Sequence, residues 1–69
     1  MRNYVFTNNG ESQKTVTAKE LKALTGFTGS LAGVTEAEVS GNRLYLVKKN
    51  CTVVYQNVHG TWGFPCKIA

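Results

Sequence analysis

Val34-Thr35-Glu36-Ala37-Glu38-Val39-Ser40-Gly41-Asn42-Arg43-Leu44-Tyr45-Leu46-Val47-Lys48 carries side chains that alternate in character on either side of a Gly-Asn pair. Alternation with period two marks a strand with one buried face. A two-residue Gly-Asn link between two such runs marks a hairpin. With Gly41-Asn42 as the loop, Val39 faces Leu44 and Ala37 faces Leu46. Lys49-Asn50 forms the next turn, which sets Leu46 against Val53 and Leu44 against Tyr55. A four-residue loop from Asn57 to Gly60 then sets Tyr55 against Trp62, Val53 against Phe64 and Cys51 against Cys66. These registers follow from turn residues alone, yet they agree on one apolar face. That face takes Thr35, Ala37 and Val39, then Leu44 and Leu46, then Cys51, Val53 and Tyr55, then Trp62, Phe64 and Cys66. A slip of one residue in any strand would break the agreement. The pattern predicts a four-stranded antiparallel meander at about 34–39, 43–48, 51–56 and 61–66. Pro65 suits an edge strand, where a missing donor is tolerated.

The inner face needs a cover, and the segment upstream supplies it. Thr17-Ala18-Lys19-Glu20 fits a capping box, with Val16 and Leu21 in the two positions of a hydrophobic staple. Gly26 stands where a helix C-terminal glycine belongs, with Phe27 placed to fold back onto Leu21. The helix therefore spans about 18–25. At two turns it is unstable alone and must dock Leu21 and Leu24. Further upstream, Tyr4-Val5-Phe6-Thr7 reads as a strand, Asn9-Gly10 as a type I′ turn, and Ser12 to Val16 as the returning strand. Phe27 to Gly33 reads as a loop. The expected class is α+β in a single domain over 1–69: an N-terminal hairpin, one short helix, and a meander packed on it.

Composition bounds the function. Eight Lys and Arg against four Glu give a net charge of +4. Such a surplus either aids solubility or attracts nucleic acid, acidic lipid or an acidic protein face. No apolar run approaches the ~20 residues of a membrane helix. Met1-Arg2-Asn3-Tyr4 opens no apolar signal segment, so the expected location is the cytoplasm. In a reducing compartment Cys51 and Cys66 default to free thiols, and a cross-strand disulfide is the alternative. A monomer and a homodimer are both compatible with the pattern.

Catalytic groups are few. His59, the single histidine, falls in a turn with no partner in view. Glu36 and Glu38 lie on the outer side of one strand, without an apolar pocket to raise a carboxyl pKa. The cysteines are not spaced as a Cys-x-x-Cys site, and no glycine loop ends in the Lys-Ser/Thr of a phosphate-binding motif. The expectation is no cofactor, no metal and no enzyme. Binding is better served. Tyr45, Val47 and Val54 point away from the helix, rimmed by Glu36, Glu38, Thr52 and Gln56, with Arg43, Lys48 and Lys49 flanking the strand of Tyr45. This patch is an interface, or it is covered by the N-terminal hairpin through Tyr4 and Phe6, or it joins two copies. Cations beside an aromatic ring also suit single-stranded nucleic acid.

Two resemblances add expectations. The stretch Glu20-Leu21-Lys22-Ala23-Leu24-Thr25-Gly26-Phe27-Thr28 resembles the first helix and turn of a helix-turn-helix. That likeness implies a second helix over Thr28 to Val34, a wing at Gly41-Asn42, and DNA contacts from Lys19, Lys22, Ser30 and Arg43. Lys22 stands where the motif takes a small residue, and Gly29 and Gly33 each cost a helix about 1 kcal/mol. In build, Gly41-Asn42-Arg43-Leu44-Tyr45-Leu46-Val47-Lys48 and Thr61-Trp62-Gly63-Phe64-Pro65-Cys66 resemble the small phage proteins that block host machinery, such as anti-CRISPR proteins. That likeness implies a stoichiometric, non-catalytic inhibitor in the host cytoplasm, bound to a host protein or nucleoprotein complex. Its contact residues would be Arg43, Tyr45, Val47, Lys48, Lys49 and Val54.

Overall fold

Thr17 ends a strand and caps a helix, and this double duty shapes the N-terminal third. The structure is a computed structural model that describes residues 3–68, apart from the side chains of Phe64, Lys67 and Ile68. Its elements are β1 (Asn3–Asn8), β2 (Lys14–Thr17), α1 (Ala18–Thr25), β3 (Val34–Ser40), β4 (Arg43–Lys48), β5 (Thr52–Val58) and β6 (Thr61–Ile68).

The helix forms where its caps dictate. The Glu20 amide donates to Thr17 Oγ1 at 3.2 Å, and the Thr17 amide donates to Glu20 Oε1 at 3.1 Å. Two of the first orphan amides are thereby satisfied. At the far end Gly26 takes φ 76°, and its amide reaches the Lys22 carbonyl at 2.7 Å. Val16 and Leu21 are both buried, as a staple requires. Leu24, expected to dock beside Leu21, is instead 52% exposed. The buried side of α1 runs through Leu21, with Ala18 and Thr25 half-buried on either side, and this leaves Leu24 at the rim. Leu31, from the loop after the helix, is buried and joins the core instead.

All six strands form one sheet in the order β2-β1-β3-β4-β5-β6. The class is α+β, and the β3-β4-β5-β6 meander is antiparallel as expected. The N-terminal hairpin is not a separate layer. β1 runs parallel to β3, with Phe6 beside Ala37 and Asn8 beside Val39, so the sheet is mixed. Parallel neighbours need a long crossover, and here β2, α1 and the loop before β3 provide it. Asn9 locks the junction: its amide donates to the Val39 carbonyl at 2.7 Å, and its Oδ1 accepts from the Gly41 amide at 2.8 Å. The Asn9-Gly10 turn forms with φ 50° and 81°. Pairing resumes only at Lys14, so β2 is shorter than the expected Ser12–Val16.

The core lies between α1 with its following loop and one face of the sheet. The cover contributes Leu21, Phe27 and Leu31. The sheet contributes Tyr4, Phe6 and Val16 from the N-terminal strands, and Val34, Ala37, Leu44 and Leu46 from the meander. The registers of β3 on β4 and of β4 on β5 match the expectation, with Ala37 opposite Leu46 and Leu44 opposite Tyr55. One expected inward residue is corrected. A bulge between Val34 and Glu36 turns Val34 into the core and Thr35 out to solvent.

The last hairpin differs more. Its loop is His59-Gly60, with φ 52° and 84°, a two-residue primed turn rather than a four-residue loop. Asn57 Oδ1 accepts from the Gly60 amide at 3.1 Å and steadies the turn. Trp62 therefore faces Asn57, two residues along from the expected Tyr55. A shift of two preserves the side-chain face, so Trp62 still packs against the core. Between Val54 and Gln56 on β5 lies one residue, whereas two, Phe64 and Pro65, lie between their partners Gly63 and Cys66. This bulge accommodates the residue that cannot donate. It also turns Cys66 to the outer face opposite Val54, while Val53 faces Lys67. The expected pairs Val53–Phe64 and Cys51–Cys66 do not form. Both cysteines are free thiols, Cys66 exposed and Cys51 half-buried.

Candidate functional site

The sheet has one covered face and one open face. Every buried side chain of the main core points toward α1 and its loop. Tyr4 and Phe6 are in that core, so the N-terminal hairpin extends the sheet sideways and does not cover the outer patch. Among the described residues, no element is layered on the outer face.

Tyr45 occupies the middle of that face. Its register neighbours are Glu38 on β3 and Val54 on β5, and Cys66 lies beyond Val54 on β6. The next row holds Val5, Glu36, Val47 and Thr52. A third row holds Ser40, Arg43 and Gln56. Val54 is buried, Tyr45 and Val47 are half-buried, and Arg43, Glu36, Glu38 and Gln56 are exposed. The result is an apolar centre with a polar rim. Arg43, Tyr45, Val47 and Val54 are thus brought together. Lys48 is not among them. It pairs with Val34 and so takes a helix-side position, while Lys49 is exposed in the turn before β5.

Charge is divided unevenly between the two sides. The outer face carries Glu36, Glu38 and Arg43. The helix side carries Lys19, Glu20 and Lys22 on α1, Lys48 by register, and Lys14, whose Nζ stands 6.0 Å from the centre of the Phe6 ring. The residues expected to touch DNA are scattered. Lys19 and Lys22 lie across the sheet from Arg43. Ser30 sits in the loop, where its Oγ accepts from the Ala32 amide at 3.2 Å. Residues 28–33 form bend and turn, not the second helix that the helix-turn-helix likeness implies. Gly29 and Gly33 account for this: Gly33 has φ 78°, outside any right-handed helix.

A second site is not foreseen by the sequence reading. A cleft of about 260 Å³ lies on the helix side, between the Gly26-Phe27-Thr28-Gly29 loop and the β5–β6 hairpin with Tyr55, Gly60, Thr61 and Trp62. The Trp62 indole N–H donates to the Thr25 carbonyl at 2.6 Å, tying the hairpin to the end of α1. Thr25 Oγ1 donates to the Leu21 carbonyl at 2.8 Å and accepts from the Phe27 amide at 3.1 Å. Phe27 and Tyr55 meet edge to face, with centroids 4.9 Å apart. The one signal in the sequence is that Tyr55 and Trp62 are assigned to the inner face, with glycines nearby in the chain, a composition that leaves hollows.

Fold and site together define a small α+β domain with an open sheet face and an aromatic cleft on opposite sides. No protein-family model, curated protein or solved structure matches the chain. Among the described residues, no group of three or more His, Cys, Asp or Glu is placed to hold a metal ion, and no helix is long and apolar enough to cross a membrane.

Proposed function

We propose that this chain is a non-catalytic binding protein of the phage-inhibitor kind, which occludes a host protein or nucleoprotein complex with the outer face of its sheet. The observation that carries this reading is the half-exposed pair Tyr45 and Val47, set around buried Val54 and beside exposed Arg43 on a face that no other element covers among the described residues. Half-buried apolar groups inside a polar rim match the anatomy of a protein interface, in which aromatic and Arg side chains carry most of the energy. The face is mixed in charge. Its partner therefore offers an apolar pocket for Tyr45, a basic group toward Glu36 and Glu38, and an acidic group toward Arg43. The same carboxylates repel phosphate beside Tyr45, which argues against a nucleic-acid backbone on this face.

Capture from host lysate tests the reading. Wild type retains a stoichiometric partner, and Tyr45→Ala combined with Arg43→Glu loses it while still folding, with a melting transition lowered by no more than the about 1 kcal/mol an average point substitution costs. If the double variant retains the same partner, the outer face is not the contact surface. The rival reading, a DNA- or RNA-binding regulator, rests on Lys19 and Lys22. It requires affinity for duplex or single strand that falls steeply with salt and survives the outer-face variant.

A further inference from the structure

The aromatic cleft lies across the sheet from Tyr45 and is independent of the interface just proposed. Its walls are held in place before any ligand arrives. Trp62 is pinned through its indole N–H to Thr25, and Tyr55 is braced edge to face on buried Phe27. Gly29 lies against the Phe27 ring so closely that a Cβ there would stand 2.6 Å from Cζ. Side chains already fixed lose little freedom on binding. Tyr55 and Trp62 remain half-buried and line the opening.

Thr28 and Gly29 also line the cleft. Among the described residues, the amides of Thr28 and Gly29 donate to no protein acceptor, and the exposed Thr28 hydroxyl makes no hydrogen bond. Planar walls with free donors at the rim suit a flat heterocycle that has acceptors along its edge. At about 260 Å³ the cleft is a little smaller than the usual small-molecule pocket. It has room for one or two fused rings. Lys22 stands in the last turn of α1, four residues before Gly26 of the cleft, and offers a cation to a ligand carrying phosphate.

We propose that this cleft binds a single nucleobase, stacked against Tyr55 and Trp62, with its edge hydrogen-bonded by Thr28 and the Thr28 and Gly29 amides. The base comes from a free nucleotide or from a single strand. Trp62 is the only tryptophan in the chain, so its fluorescence reports on the cleft directly. The expected result is saturable quenching by adenosine 5′-monophosphate or uridine 5′-monophosphate, with none from ribose 5-phosphate. Tyr55→Leu weakens the affinity about tenfold, as loss of one stacking ring should, whereas Tyr55→Phe leaves it near wild type. Should Tyr55→Leu not fold, Thr28→Val at an exposed position weakens it about fivefold. A single-stranded oligouridine that binds far more tightly than the mononucleotide, with the same dependence on Tyr55 or Thr28, assigns the base to a strand. Comparable affinity assigns it to free nucleotide. Equal quenching by ribose 5-phosphate overturns the proposal, as does unchanged affinity in the folded variants. So does an unresponsive Trp62 with every nucleotide and oligonucleotide at millimolar concentration.

Discussion

Gly29 and Gly60 both line the cleft, but glycine is needed at each for a different reason. At Gly60, φ is 84° and nothing lies within 4 Å of the place a Cβ would occupy, so a side chain fits in space and fails in backbone. At Gly29 no left-handed φ is required, and the obstacle is the Phe27 ring. Gly60→Ala should cost about 1 kcal/mol by straining the turn. Gly29→Ala should cost about 1–3 kcal/mol by displacing a packed ring. A double-mutant cycle separates the mechanisms. Phe27→Leu should partly relieve Gly29→Ala, giving less than additive loss in urea melts, and should add independently to Gly60→Ala. Equal coupling to both glycines would show that the ring is not what excludes a Cβ at Gly29. This residue-scale detail is not visible in the sequence. Gly29 looks like any loop glycine until the Phe27 ring is found against it.

At the scale of elements, legibility follows locality. α1 is readable to the residue because all its determinants lie within about ten positions: the Thr17–Glu20 box, the Val16–Leu21 staple and the Gly26 terminus. Thr17→Ala should cost about 1 kcal/mol, measured by chemical denaturation at neutral pH. The box also has a pH signature. The Thr17 amide, then the Thr17 side chain, hold the Glu20 carboxyl below its usual value of 4.5, with Lys14 adding a little. A carboxyl whose folded pKa is depressed contributes stability that is present above its unfolded pKa and lost as pH falls through the folded one. Acid should therefore erode the wild type from just above pH 4.5 downward, and Glu20→Gln should lose part of that slope while the neutral-pH fold persists. An unchanged acid profile in Glu20→Gln would place the sensitivity elsewhere. β6 is less readable. Its register depends on whether Asn57 belongs to a loop or a strand and on how the chain passes Pro65, and neither is settled by alternation. The two-residue His59-Gly60 turn keeps Trp62 inside, and the Pro65 bulge puts Cys66 outside.

Across the whole molecule, alternation reveals which side chains share a face but not which strands are neighbours. Strand identity, the β3-β4-β5 registers and most of the inward set are therefore legible, whereas the parallel pairing of β1 with β3 is not. Phe6 beside Ala37 is a pair of large and small residues that becomes recognisable only once the neighbour is known. The topology matters for the site, because a hairpin added edgewise leaves the outer face bare. β4 gives the most direct test of this division, since four consecutive residues alternate between the two sides. Leu44 and Leu46 are 0% and 2% exposed on the covered face, and Tyr45 and Val47 are half-buried on the far side. Leu44→Ala and Leu46→Ala should each cost about 2–5 kcal/mol, enough to unfold much of a domain this small at physiological temperature. Tyr45→Ala and Val47→Ala should cost about 1 kcal/mol, near the average for a point substitution, and should instead weaken retention of the captured partner. Thermal melts and capture on the four variants give two profiles along the strand, and the proposed division of labour requires them to be out of phase. If Tyr45→Ala destabilises as much as Leu46→Ala, Tyr45 is a structural residue of a second core, and the outer face loses its standing as the place where a partner binds.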